Sequence, residues 1–176
     1  MSEQLEPRIA PVLESDIDEL IALARDIWYR HYPDMITDEQ IEYMLGQRYH
    51  PDAIRTQLAS GSAWWDKLTL DGAIVGFSSC ELSEHAEEMK LDKVYVSYDL
   101  RGRGYGSLLI RNAEARARAA GCTRLYLQVN KNNRSAIEAY HRNGFIVARA
   151  ARFDIGNGFY MDDYVMAKEV GPERER

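Results

Sequence analysis

Three glycines at alternate positions, Gly102, Gly104 and Gly106, separate two segments of different type. Residues 91–98 before them are rich in strand-forming side chains, and the apolar residues after them recur at helical spacing as far as Gly121. A strand that passes through glycines into a helix presents several main-chain N–H groups at the positive end of the helix dipole. Since glycine also allows close approach to the backbone, this turn predicts a phosphate-binding loop.

The residues around the glycines narrow the type of loop. Arg101 and Arg103 add positive charge beside the same anion. The spacing excludes a Rossmann dinucleotide loop, which needs G-x-G-x-x-G, and the lack of Gly-Lys-Ser/Thr excludes a Walker loop. A glycine turn with a purely structural role remains the alternative at this point.

The first third of the chain predicts a short strand and three helices. Residues 8–13 form the strand, and Ser15 is the expected N-cap of the first helix. Thr37 opens the second helix as part of a capping box. Pro51 opens the third helix, which ends near Gly61.

The rest of the chain predicts a sheet rich in hairpins. Residues 63–70 and 73–82 pair through an Asp71-Gly72 turn, which is a strong hairpin signal. Further along, we expect strands around residue 127 and at residues 145–155 and 159–167, and a helix at residues 135–142. The fold class is therefore α/β of the α+β type, with a mixed sheet covered by helices.

Composition excludes several classes of protein. The 176 residues carry a formal net charge of −6 and a pI of about 5.3, which argues against a nucleic-acid-binding surface. Cys80, Cys122 and four scattered histidines match no metal-binding spacing. With no signal-peptide pattern and no run of ~20 apolar residues, we expect a cytoplasmic protein without membrane contact. One domain over residues 1–170 and a charged tail at 171–176 complete this expectation.

A second motif follows the strand around residue 127. Asn133, Ala136 and Tyr140 lie within seven positions of one another, nearly two helical turns, so they share one helix face. Alone, this face has an ordinary explanation as a cap and a packed phenol. In order and separation from the glycine turn, however, the two motifs resemble the GNAT N-acetyltransferase superfamily. Its pyrophosphate motif Q/R-x-x-G-x-G/A matches Arg101, Gly104 and Gly106, and its N-x-x-A-x-x-x-Y-x-x-x-G-F pattern ends here at Gly144 and Phe145.

The resemblance implies a fold and a cofactor. The fold has a mostly antiparallel sheet with one splayed strand pair, and the pantetheine arm of acetyl-CoA lies in the gap between the splayed strands. The resemblance assigns the cofactor to the main chain of the strand, to the glycine turn and to the asparagine: Val94, Tyr95, Val96, Arg101, Gly102, Arg103, Gly104, Tyr105, Gly106 and Asn133.

The resemblance also implies direct attack of an amine on the thioester in a ternary complex. Tyr140 is the candidate acid for the leaving thiolate, by proton transfer or by hydrogen bonding alone. Some members of the family carry a glutamate base where this chain has Lys90. Glu81 and Asp92 are the substitutes, and a chain of water molecules to solvent is an equal alternative.

The sequence constrains the amine that accepts the acetyl group less than it constrains the cofactor. The first helix contributes Trp28, Tyr29 and Tyr32, whose faces could hold a cation, although core packing explains them too. The adjacent Asp162 and Asp163 near the C-terminus look similar to polyamine-acetylating bacterial members. We therefore expect a polyamine or other small cationic amine, with a peptide amine as the second choice.

Two further expectations complete the sequence analysis. The alternative to an enzyme is a catalytically silent module of the same fold that binds an acyl-CoA as a sensor or partner. A homodimer is also plausible on sequence grounds, because the exposed edge of a sheet often pairs with a second chain.

Overall fold

The structure is a computed structural model that describes residues 5–171. These residues form seven strands and five α-helices. The strands are β1 (Arg8–Pro11), β2 (Trp64–Leu70), β3 (Ala73–Leu82), β4 (Glu88–Val96), β5 (Arg124–Asn130), β6 (Ile146–Gly156) and β7 (Phe159–Glu169). The helices are α1 (Ile17–His31), α2 (Asp38–Arg48), α3 (Pro51–Ser60), α4 (Tyr105–Ala119) and α5 (Arg134–Arg142). Except for Gly171, the predicted charged tail lies outside the described residues.

The strands form one sheet in the order β1-β2-β3-β4-β5-β7-β6. The pairs β1/β2, β2/β3, β5/β7 and β6/β7 are antiparallel, whereas β4 and β5 are parallel. This confirms the predicted class, a mixed and mostly antiparallel sheet with helices.

The parallel pairing of β4 with β5 is short. It runs from Glu88 opposite Arg124 to Lys90 opposite Tyr126, although β4 continues to Val96. The main chain of β4 beyond Lys90 is therefore not part of the ladder with β5.

The described residues divide into two compact units. The first comprises residues 5–80 and 93–110, and the second comprises residues 81–92 and 111–171. In the first unit, the buried positions of α1 include Leu20, Ala24, Ile27 and Trp28, which recur every three or four residues. This spacing creates one apolar stripe along the helix, and burying the stripe stabilises the unit.

Helix ends in the first unit follow local chemistry, with one exception. Thr37 accepts a hydrogen bond from the Gln40 main chain at 3.2 Å, and Gly61 ends α3 with a φ of 67°, as the sequence predicts. The prediction of Ser15 as an N-cap is wrong. Residues Glu14–Asp16 form a 3-10 turn, and Asp16 accepts a hydrogen bond from Leu13 N at 2.8 Å.

The β2–β3 hairpin brings two backbones close together. Asp71 and Gly72 both have positive φ, 49° and 79°, which is the conformation that the Asp-Gly pair predicts. Farther along β3, an added Cβ at Gly76 would lie 3.0 Å from the Tyr95 main-chain oxygen and 3.3 Å from the Leu109 side chain. Only glycine fits this close approach without moving β4.

The second unit is built around β5 and β7. Leu125, Leu127 and Val129 are buried at alternate positions of β5, as the sequence pattern predicts. Lys168 on β7 donates hydrogen bonds to Glu114 Oε1 at 2.7 Å and to the Asn143 main-chain oxygen at 2.9 Å. This partly buried contact connects β7 to α4 and to the end of α5.

The bounds of β4 differ from the prediction. The strand begins at Glu88, earlier than residue 91, and it ends at Val96 because Tyr98–Leu100 forms a 3-10 turn. The early start was missed because residues 83–88 are polar, but Ser83 N donates to the Glu88 main-chain oxygen and closes a short β3–β4 connection.

Substitution of Gly76 tests the close approach of β3 to β4. We expect Gly76→Ala to lower the free energy of unfolding by about 1–3 kcal/mol, because the new methyl group meets main-chain atoms that cannot rotate away. The matched control is Gly46→Ala in α2, where an added Cβ meets nothing within 4 Å. That change should leave stability unchanged or raise it by up to about 1 kcal/mol. Urea denaturation measures both, and equal effects would contradict the steric account.

Candidate functional site

The glycine turn follows the 3-10 turn Tyr98–Leu100 and leads directly into α4. Gly102 and Gly104 have φ values of 76° and 84°, which side chains with a Cβ rarely adopt. At Gly102, Gly104 and Gly106, an added Cβ would meet nothing within 4 Å. The turn therefore combines a glycine-specific backbone, open space and the N-terminus of a 15-residue helix, which is a favourable arrangement for an anion.

Arg101 precedes these glycines and is a cation without an anionic partner. Its guanidinium carbon lies 4.5 Å from the centre of the Tyr98 ring, and Nη1 lies 3.0 Å from His31 Nδ1. No carboxylate in the described part of the chain forms an ion pair with Arg101. Although much of this side chain is exposed, partial loss of solvent around the guanidinium lowers its pKa from the usual value, and nearby Arg30 adds to this effect. An anion at this position would restore the balance of charge.

The end of α1 holds the 3-10 turn through Arg30. Its two terminal nitrogens donate to the Asp99 carboxylate at 2.8 and 3.1 Å, and its guanidinium carbon lies 4.4 Å from the Tyr98 ring. The Tyr98 ring thus contacts both Arg30 and Arg101. The hydrogen bonds from Arg30 hold the pKa of Asp99 below its usual value.

The structure separates the three aromatic residues predicted for the acceptor. Trp28 and Tyr32 contact each other with ring centres 4.6 Å apart, and the Tyr32 hydroxyl lies 3.2 Å from that of Tyr95. Tyr29 is 38% exposed, and its hydroxyl donates to Glu42. This hydrogen bond raises the pKa of Tyr29 above its usual value. Only Trp28 and Tyr32 therefore share a cluster with Tyr95.

Trp28 is buried, yet its indole N–H is not satisfied. The ring is 2% exposed, and Nε1 has no hydrogen-bond acceptor among residues 5–171. A buried donor without an acceptor costs free energy unless a ligand or water supplies one.

Sequence analysis missed Lys93, which is buried among the aromatic rings of the first unit. Its side chain is only 6% exposed, and Nζ lies 4.9 Å from the centre of the Trp65 ring and 5.4 Å from that of Tyr49. The signal was present in the sequence, because Lys93 lies at the alternate position between Leu91 and Tyr95 on one strand.

The two candidate bases in the second unit share one lysine. Lys90 Nζ lies 3.2 Å from Asp92 Oδ1 and 4.0 Å from Glu81 Oε1. The Asp92 side chain is 14% exposed and that of Glu81 is 37% exposed. Both carboxylates therefore contact Lys90, and Asp92 is the more buried of the two.

Asn133 and Tyr140 lie at the two ends of α5 in the second unit. Asn133 is the buried N-cap residue, with 5% exposure, and its side chain does not cap the helix. The half-buried Tyr140 ring contacts Phe145 edge-on, with ring centres 5.9 Å apart. The Asn133 side chain therefore does not act as the cap of this helix.

Two further features of the described residues concern metal-binding groups and membrane-spanning helices. Residues 5–171 contain no group of three or more His, Cys, Asp or Glu side chains that could hold a metal ion. No helix in this part of the chain is long and apolar enough to span a membrane.

Comparison with known proteins identifies the class. Residues 17–145 match the family model described as Acetyltransferase (GNAT) family, so the chain belongs to the GNAT acetyltransferase family. It is an enzyme, an N-acetyltransferase that uses acetyl-CoA.

Three similar proteins illustrate this relationship. The spermidine N(1)-acetyltransferase of Thermoplasma acidophilum is 26% identical over 136 residues, which cover 75% of this chain and 83% of that protein. The aminoglycoside N(6')-acetyltransferase type 1 of Klebsiella aerogenes is 25% identical and covers 79% and 89%. The solved structure of the PaiA N-acetyltransferase of T. acidophilum in complex with coenzyme A has a TM-score of 0.79 and 21% identity over 94% of this chain and 99% of that chain.

Proposed function

We propose that Arg101 and the turn Gly102, Arg103, Gly104, Tyr105 and Gly106 bind the pyrophosphate of acetyl-CoA. The observation that carries this proposal is the guanidinium of Arg101, which lies beside glycines of positive φ and forms no ion pair with a carboxylate of residues 5–171. Main-chain N–H groups at the start of α4 would add donors that need no side-chain ordering. The same residues have the donor chemistry and the open space that a pyrophosphate requires.

The pantetheine arm is proposed to bind the main chain of Val94, Tyr95 and Val96. This part of β4 lies beyond Lys90, where the ladder with β5 ends. An amide-containing arm can bond to such a strand edge in the manner of an added strand. We also propose Asn133 as a cofactor contact. Residues 1–170 are proposed to act as one catalytic domain.

Removal of the Arg101 cation tests the pyrophosphate proposal. We expect Arg101→Ala to raise the dissociation constant of coenzyme A about 10- to 100-fold, because charge-assisted hydrogen bonds are lost. The control is Arg55→Ala, since Arg55 pairs with Asp52 and Glu14 and belongs to α3. Isothermal calorimetry measures both, and an unchanged affinity for Arg101→Ala would contradict the proposal.

The chemistry that we propose is direct transfer of the acetyl group to the amine. Bound acetyl-CoA supplies a thioester, and a main-chain N–H near Val94 would stabilise negative charge on its carbonyl oxygen. The acceptor nitrogen attacks the acetyl carbon, the N–C bond forms and the C–S bond breaks. Tyr140 gives a hydrogen bond or its proton to the thiolate. Because the reference pKa of a phenol is about 10 and that of a thiol about 8.5, hydrogen bonding without full transfer suffices.

The acceptor must also lose a proton. Asp92 and Glu81 are the proposed bases, with a water chain to solvent as the alternative route. Their shared contact with Lys90 makes one network of the three side chains, so substitution of either carboxylate also affects the other.

The proposed role of the Tyr140 hydroxyl can be tested separately from cofactor binding. We expect Tyr140→Phe to lower kcat about 10- to 100-fold while coenzyme A affinity stays within about twofold, because only the acid is removed. The control is Tyr160→Phe on the exposed part of β7. Thiol release with acetyl-CoA measures kcat, and an equal effect of both substitutions would refute the role of Tyr140.

For the acceptor, we propose a polyamine or another small cationic amine. The relatives named for spermidine and aminoglycoside acetylation support this class. Trp28 and Tyr32 form the aromatic part of the proposed pocket, where their ring faces can contact a cationic amine. A panel of polyamines, aminoglycosides, amino acids and short peptides tests the class by thiol release. Faster release with peptides would favour the second choice, a peptide amine.

A homodimer is proposed through β6, the edge strand of the second unit. This strand has eleven residues and forms one edge of the sheet. Antiparallel pairing of two copies centred on Phe153 would place Arg152 of each copy opposite Asp154 of the other. The interface would therefore contain two symmetry-related Arg152–Asp154 ion pairs.

Charge reversal tests the β6 dimer. Arg152→Asp and Asp154→Arg should each shift the protein to monomer, because like charges then face each other. The double variant should restore the dimer, as should a mixture of the two single variants. Light scattering after gel filtration measures the mass. A monomeric wild-type protein, or a dimer that persists in both single variants, would contradict this interface.

A further inference from the structure

We propose that His31 is a positioning residue for Arg101. Its ring nitrogen Nδ1 would hold the guanidinium in the orientation in which it meets the pyrophosphate. This inference rests on the proposed role of Arg101 in cofactor binding and adds a residue from α1 to that site.

The geometry sets the chemical state of the histidine. Arg101 Nη1 lies 3.0 Å from His31 Nδ1, within hydrogen-bond distance. A guanidinium carries only donors, so the lone pair of this bond must belong to Nδ1. His31 is therefore the neutral tautomer with its proton on Nε2, and a protonated ring could not accept this bond.

Two contacts together restrict the guanidinium. The Tyr98 ring packs against Arg101 with 4.5 Å between the guanidinium carbon and the ring centre, which limits movement out of the plane. The bond to His31 limits rotation within the plane. Because Arg30 contacts the other side of this network through Tyr98 and Asp99, the guanidinium of Arg101 is oriented before an anion arrives. Such preorganisation raises affinity by reducing the ordering required on binding.

His31 is itself held in place by α1. It is the last residue of that helix, and its ring lies edge-on to Tyr32 with 4.9 Å between ring centres. Among the charged and titratable groups around this pair, Tyr32 lies beside His31, Tyr98 lies beside Arg101, and Asp99 accepts two hydrogen bonds from Arg30.

Protonation of His31 should then release Arg101. A protonated imidazole has no lone pair at Nδ1, so the acceptor for Arg101 is lost when the ring gains a proton. The affinity for coenzyme A should therefore fall as the pH is lowered from 8 to 5.5. Coenzyme A's own phosphates also titrate, so the relevant quantity is the difference between the wild-type protein and a variant whose acceptor does not titrate.

Two substitutions at His31 distinguish the effect of the hydrogen-bond acceptor Nδ1 from the effect of the ring itself. His31→Phe keeps a ring but removes the acceptor, and His31→Asn places an amide oxygen near the position of Nδ1 without a titration. At pH 8, we expect His31→Phe to raise the dissociation constant of coenzyme A about five- to tenfold, and His31→Asn to stay within about twofold of wild type. Thermal unfolding of each variant checks that it is folded.

A double-variant cycle and a pH series complete the experiment, with calorimetric titration of coenzyme A as the readout. Once Arg101→Ala is present, His31→Phe should have no further effect, since no guanidinium remains to be oriented. Between pH 8 and pH 5.5, wild type should lose several-fold more affinity than His31→Asn.

The outcomes separate this inference from the proposed function. Wild-type affinity in His31→Phe, additive effects with Arg101→Ala, or tighter wild-type binding at low pH relative to His31→Asn would each overturn the positioning role while leaving the pyrophosphate site intact. The last of these results would identify His31 as a cationic phosphate ligand. Coenzyme A binding that is insensitive to Arg101→Ala would overturn the site proposal itself.

Discussion

The contact between the end of α1 and the turn before α4 is the interaction on which the proposed cofactor site depends. Arg30 binds Asp99 through two hydrogen bonds, and the Tyr98 ring contacts both Arg30 and Arg101. These contacts hold the turn before α4 and the guanidinium of Arg101 in place, and preorganised anion binding requires such an arrangement.

The second unit presents a different electrostatic arrangement. The ammonium of Lys90 contacts both Asp92 and Glu81. A base chosen from these two carboxylates would therefore work within a three-residue network. Tyr140, the acid that we propose, lies on a separate helix.

Local signals explain why much of the fold was predictable. The Asp71-Gly72 hairpin, the Thr37 cap and the glycine end of α3 each depend on neighbouring residues, and all three predictions are confirmed. Ser15 was predicted wrongly as an N-cap because the polar residues around it offer several caps, and Asp16 bonds to Leu13 N. The early start of β4 was missed because it depends on pairing with other strands.

The sequence by itself determined the family, because two motifs in a set order carry the cofactor chemistry. It also contained the reason why Trp28 and Tyr32 share a face and Tyr29 does not, since helix positions four apart align. Only the tertiary structure decided which aromatic rings surround Lys93 and that His31 meets Arg101. The physical reason is distance along the chain. Side chains 70 positions apart come together through packing that no local pattern encodes.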